Sequence, residues 1–200
     1  TTAVRLGLEA GVRNRGLTPR DSLMVLADSL DAAVYQSRGP AFALQVRLWR
    51  VMEQLLESHP DDPEVLYWVT DKNYHLNPLG KRERWHLDRF RRAIDLDPLF
   101  APAYEHAVEL SAMLDPPEET RALIARMLAI PGIDSVRAQT LHLTDRLLDP
   151  AIPPGEKPAA LDSASLAVLT RAAREYLWRS PDSVGTMGAR TVIRRFPGFA

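Results

Sequence analysis

Phe90-Arg91-Arg92-Ala93-Ile94-Asp95-Leu96-Asp97-Pro98-Leu99-Phe100-Ala101-Pro102-Ala103-Tyr104 is the stretch whose reading decides the fold. His86, Phe90, Ala93 and Ile94 recur at the spacing of one helical face, while Lys81, Trp85, Arg89 and Arg92 share the opposite one. Pro98 ends that helix, because proline lacks the N–H and its ring clashes with the preceding turn. A second segment begins behind it. The same order, helix, proline and fresh start, recurs at Pro60-Asp61-Asp62-Pro63-Glu64-Val65-Leu66-Tyr67. Pro98 follows Pro60 by 38 residues, and Pro131 follows Pro98 by 33. Periods of this size, with two helices per unit, are the mark of a helical solenoid.

Outward from this joint the same punctuation continues. Thr18-Pro19-Arg20-Asp21 is a helix start, with Thr18 as N-cap, Pro19 in the first turn and Asp21 near the positive end of the dipole. Leu23, Leu26, Ala27, Leu30 and Val34 follow on one face, and Leu44, Leu48, Val51, Met52 and Leu55 mark the next helix after Gly39-Pro40. Asp115-Pro116-Pro117-Glu118 repeats the start signal ahead of Leu123, Ile124, Met127 and Leu128. Val136, Thr140, Leu143 and Leu147 supply a later stripe, and Leu166, Leu169, Ala173 and Leu177 the last one. Alternating β-branched runs bounded by Asn-Gly or Asp-Gly turns do not occur. The expectation is an all-α chain of about eight to ten helices. Residues 1–148 form the repeat region, 149–160 a proline-rich elbow, and 161–200 a C-terminal helical segment packing on the rest.

Composition narrows the function classes. Twenty-five Lys and Arg against 26 Asp and Glu leave a net charge of −1, which argues against a dominant nucleic-acid or membrane-surface role. With no cysteine there is no disulfide, thiolate metal site or thiol nucleophile. Proline, 16 of 200 residues, is in excess, and most of it falls between the helical stripes. No stretch approaches the roughly 18 apolar residues of a membrane span. The chain begins at Thr1 without Met, as an excised or processed segment would. Its expected compartment is the cytoplasm by default, or outside the membrane if the segment follows an anchor.

The quoted stretch resembles the joint between two tetratricopeptide repeats. In that family a unit's second helix carries a large apolar residue, a small one three later and a proline five beyond, matched by Phe90, Ala93 and Pro98. The next unit opens on an aromatic, matched by Tyr104, and Leu66 and Val69 match the early apolar positions. Departures are Thr70 for a Gly or Ala, His86 for an Ala, Arg126 for a small residue near Pro131, and a surplus of four residues placed in Leu76-Asn77-Pro78-Leu79-Gly80. The resemblance covers residues 41–131. It implies an α-solenoid of antiparallel helix pairs whose first helices line a concave, ligand-binding groove. The groove positions correspond to Tyr67, Asp71 and Tyr74 in one unit, and to Glu105 and Glu109 in the next.

A narrower resemblance is to the helical-repeat region behind the catalytic domain of some bacterial serine/threonine protein kinases. Leu17-Thr18-Pro19-Arg20-Asp21-Ser22-Leu23, His59-Pro60-Asp61-Asp62-Pro63-Glu64-Val65 and Tyr74-His75-Leu76-Asn77-Pro78-Leu79-Gly80 carry it. The kinase's own Gly-rich loop, His-Arg-Asp and Asp-Phe-Gly are not in this chain. The resemblance implies a regulatory segment without the enzyme.

The five histidines include no H-E-x-x-H, and His75 and His86 with Asp71 are read as packing or surface residues rather than a two-histidine, one-carboxylate metal site. Ser22, Ser29 and Ser163 lack a strained Gly-flanked elbow, Asp61-Asp62 is explained by capping, and Gly185-Thr186-Met187-Gly188 follows no strand. No catalytic residue, metal or cofactor is expected. The expected function is a non-catalytic protein- or peptide-binding scaffold. Bottom-up, Tyr67, Asp71 and Tyr74 stand at i, i+4 and i+7, aromatics around a carboxylate, which suits a basic or amide-rich peptide and equally suits packing between repeats. The alternative is nucleic-acid or phospholigand binding through Lys81, Trp85, Arg89 and Arg92, against which stands a plain solvated helix face.

Overall fold

The computed structural model describes residues 2–37, 41–76, 82–153, 156–172, 190–191 and 194–195. Among them are ten α-helices and no strand: α1 (Thr2–Val12), α2 (Pro19–Gln36), α3 (Phe42–Ser58), α4 (Pro63–Leu76), α5 (Glu83–Leu96), α6 (Ala101–Leu114), α7 (Pro117–Leu128), α8 (Ser135–Leu148), α9 (Lys157–Ser163) and α10 (Leu166–Ala172). The all-α reading and the helix number agree with the sequence. The last stripe is described only as far as Ala172, so Ala173, Leu177 and the Gly185–Gly188 run lie outside the described residues, as do residues 77–80 of the expected surplus.

Local chemistry explains the starts. The Thr18 hydroxyl oxygen accepts the Asp21 N–H at 3.1 Å, and Pro19 opens α2 where its missing donor costs nothing. Asp62 Oδ1 accepts from the N–H groups of Glu64 and Val65, at 2.9 and 3.1 Å, capping α4 as expected. Asp134 does the same for α8 through the Arg137 N–H at 2.9 Å, and that bond holds its carboxyl below the usual range. One expected cap is corrected. Asp115 does not cap α7, whose cap position is Pro116; its carboxylate instead receives Arg84 and Arg91. Part of the expected elbow is also helical, since α9 begins at Lys157 with proline in its first turn. Gly16 and Gly132 take positive φ in the turns after α1 and α7, where a side chain would be strained.

Two compact units make up the chain, residues 1–82 and 83–200. In the first, Ala27 and Leu30 of α2, Leu48, Val51, Met52 and Leu55 of α3, and Val65 and Val69 of α4 form one core. Each fully buried aliphatic side chain contributes about 1.5–3 kcal/mol. Three polar contacts tie α2 to α4 and its cap: Arg20 to Asp62, Asp28 to Trp68, and Asp31 to Lys72. Their sequence separations are 42, 40 and 41 residues. A nearly constant separation means that the two helices run parallel. The second unit buries Phe90, Ala93 and Ile94 of α5, Tyr104, Ala107 and Val108 of α6, and Leu123, Ile124 and Met127 of α7. The Tyr104 hydroxyl donates to the Pro98 carbonyl at 3.0 Å, fastening the start of α6 to the proline turn. A further core joins Leu143 and Leu147 to Leu161, Val168 and Leu169.

Arg20 concentrates the electrostatics of the first unit, with nitrogens 2.6 Å from Asp62, 2.5 Å from Glu64 and 2.8 Å from Asp21. Its hydrogen bond holds the Asp62 carboxyl below the usual range, helped by the capping N–H groups against partial desolvation. A depressed folded-state carboxyl adds stability above its unfolded pKa of about 3.9, lost as pH falls through the folded value. Because solvent screens these half-exposed groups, Arg20→Gln is expected to cost about 1 kcal/mol at pH 7. In urea titrations that difference from wild type should begin to shrink as pH falls below about 4 and vanish only once pH is below the depressed folded-state value of Asp62. A pH-independent difference would remove the ionic explanation.

Candidate functional site

On α4, Val65 and Val69 enter the core of the first unit, whereas Trp68 and Lys72 reach toward α2. Tyr67, Asp71 and Tyr74 occupy the next row round the helix, all three half-buried. Asp71 Oδ1 lies 3.4 Å from His75 Nε2, and the rings of Tyr74 and His75 meet edge to face with centroids 5.2 Å apart. The row therefore presents two phenols flanking a carboxylate, the pattern that helical spacing predicts. Phenols bury large area at low entropic cost and retain a polar tip.

The two expected groove residues of α6 lie in the second unit and are already engaged there. Glu105 pairs with Arg137 and stands 3.7 Å from Arg171, linking α6 to α8 and α10. Glu109 Oε2 is 3.2 Å from His106 Nδ1. Further along this unit Arg121 reaches Asp145 and Asp149 at 2.8 and 3.2 Å, and the buried hydroxyls of Ser111 and Thr120 meet at 3.0 Å. Ion pairs and one hydroxyl pair thus stitch the helices of this unit together, and Glu105 belongs to that stitching.

The basic helix behaves similarly. Arg89 Cζ lies 3.7 Å from the Trp85 ring centroid, and burial lowers the Arg89 pKa. Arg84 and Arg91 donate to Asp115 at 2.6 and 2.8 Å, and Arg84 also donates to the Leu114 carbonyl at 2.9 Å. Arg92 is exposed, and Lys81 lies outside the described residues. The opposite stripe, His86, Phe90, Ala93 and Ile94, is buried as the periodicity requires.

In comparisons with known proteins the chain matches no protein-family model, no curated protein and no solved structure. Function therefore rests on the residues themselves.

One polar set escapes sequence reasoning. A cleft of about 970 Å³ runs along α1 and α2, lined by Arg5, Leu6, Glu9, Asp28, Asp31 and Tyr35 among others, with Lys72 reaching in from α4. Lys72 Nζ is 2.6 Å from Asp31 Oδ2, and Trp68 Nε1 donates to Asp28 at 3.0 Å. Desolvation raises the Asp28 carboxyl, against the lowering by the Trp68 donor and by Lys72. The only signal for this set was the i, i+3 pair of carboxylates on α2, indistinguishable by spacing from a solvated helix face.

Proposed function

We propose that this chain is a non-catalytic interaction module of a bacterial signalling or regulatory protein, built from tetratricopeptide-like helix pairs and receiving a protein or peptide partner. The repeat reading is supported by the parallel run of α2 and α4 at separations of 40–42 residues. It is supported again by the burial of Phe90, Ala93 and Tyr104 around the Pro98 turn. Solenoids expose extended surfaces to which partners dock. The signalling context rests on the kinase-associated motifs at Leu17–Leu23, His59–Val65 and Tyr74–Gly80.

The observation that carries the partner site is the Tyr67, Asp71 and Tyr74 row, half-exposed beside a face of α4 that its own core already uses. A peptide bearing basic or amide groups complements phenols set around a carboxylate. Pairing of Arg84 and Arg91 with Asp115, and the covering of Trp85 by Arg89, favour this reading over phospholigand binding at the basic helix.

A peptide selected from a random library on the full chain should lose at least tenfold in affinity when Tyr67→Ala and Tyr74→Ala are combined, about 1.4 kcal/mol, with unchanged helical circular dichroism. A library yielding no saturable binder, or a binder indifferent to both substitutions, would overturn the proposal.

A further inference from the structure

We propose that the cleft along α1 and α2 receives the guanidinium of an arginine side chain from a partner peptide, held by Asp28 and Asp31. This goes beyond the α4 row and uses none of its residues. Asp31 is the decisive group. Its side chain is 9% exposed and it lines the cleft, yet Oδ1 finds no hydrogen-bond donor among the described residues. A buried carboxylate oxygen without a donor is costly, and a ligand N–H is the group that would satisfy it.

Charge points the same way. The lining holds Glu9, Asp28 and Asp31 against Arg5 and Lys72. Arg5 is spent on Glu9 at 2.5 Å, and Lys72 on Asp31 Oδ2 at 2.6 Å. Asp28 is left with the neutral Trp68 donor and, at longer range, a share of Lys72. One added positive charge brings the cleft to neutrality.

The shape of that charge follows from the arrangement. Asp28 and Asp31 stand one turn apart on the same face of α2, where a planar fork with several N–H donors can serve both. Tyr35, 65% exposed one further turn along, supplies an aromatic face for the guanidinium to stack on. Leu6, Ala3 and Ala32 offer apolar wall for the aliphatic stem. Calcium or magnesium would need six or more oxygen ligands, and two of the four carboxylate oxygens of Asp28 and Asp31 are already taken by Trp68 and Lys72.

The test is an NMR titration of the ¹⁵N-labelled full chain with N-acetyl-L-arginine amide at low salt. Saturable shifts are expected at the amides of α2 from Asp28 to Tyr35, with the isosteric, uncharged citrulline derivative giving none. Asp28→Asn should weaken binding at least tenfold. Position 28 is exposed, so the variant should keep its fold, to be checked by thermal melting, whereas Asp31→Asn also strips Lys72 of its partner. Tyr35→Ala should weaken it several-fold. Equal shifts from the citrulline derivative, unchanged affinity in Asp28→Asn, or the same shifts produced by calcium chloride alone would each overturn the assignment. The Tyr67→Ala and Tyr74→Ala variant should bind the arginine derivative normally, so failure of the α4 row and failure of this cleft are read separately.

Discussion

Replacing Phe90 by alanine is expected to cost about 3–5 kcal/mol, a large part of the stability of a domain this size. Phe90 is completely buried, with its ring 5.3 Å from that of His106, so α5 and α6 meet across it. Truncation loses the transfer free energy of the ring and leaves a cavity that two helices fixed by Tyr104 and the Pro98 turn cannot close. The measurement is urea unfolding followed by circular dichroism, with Trp85, on the same helix, as a fluorescence probe. Leu99→Ala is the matched control. It removes an apolar side chain from the same turn, but one 64% exposed, and should change stability by no more than about 0.5 kcal/mol. If Phe90→Ala behaves like Leu99→Ala, the joint between α5 and α6 is not the packed junction described here.

Phe90 could be recognised in the sequence because its role is periodic and its helix is closed by a proline. Helix starts were equally legible where the capping partner is local, as at Thr18 and Asp62, whose side chains bond N–H groups two or three residues on. Asp115 shows where such reading stops. Its Asp-Pro-Pro context is that of a cap, yet Arg84 and Arg91, 31 and 24 residues upstream, take its carboxylate, and no local pattern encodes that competition. Glu105 is the same case: spacing gives the face it occupies but not that Arg137 and Arg171 reach it first. The row Tyr67, Asp71, Tyr74 follows from helical geometry alone. The Asp31–Lys72 cleft does not, because it needs the 41-residue register between two parallel helices. The helix at the first residues is likewise not legible in the sequence. α1 buries no side chain fully, and the poor helix formers Gly7 and Gly11 interrupt it.

What holds α1 is close backbone approach, and this leads to the second large effect. A Cβ built on Gly11 would overlap Ser29 Oγ and stand 2.6 Å from Ser29 Cβ, whereas one on Gly7 would stand 3.1 Å from Ala32 Cβ. Gly7 meets Ala32 and Gly11 meets Ser29, so the two helices run antiparallel with glycines facing small residues. Gly11→Leu improves helix propensity by about 0.8 kcal/mol, but the overlap involves Ser29 Cβ, which no rotamer change can move. Overpacking of this kind costs about 1–3 kcal/mol and here forces the helices apart, so the net effect is destabilising. The expected result is rapid proteolysis after Arg13 or Arg15, between α1 and α2, together with loss of arginine-amide binding, because α1 forms one wall of the cleft. A double-mutant cycle separates steric clash from other causes. Gly11→Ala should destabilise in the wild-type background and stabilise in Ser29→Gly, where both clashing atoms are gone and only the propensity gain of about 1 kcal/mol remains. If Gly11→Ala has the same sign in both backgrounds, α1 is not seated on α2 through these two residues, and the cleft loses the wall on which its arginine assignment depends.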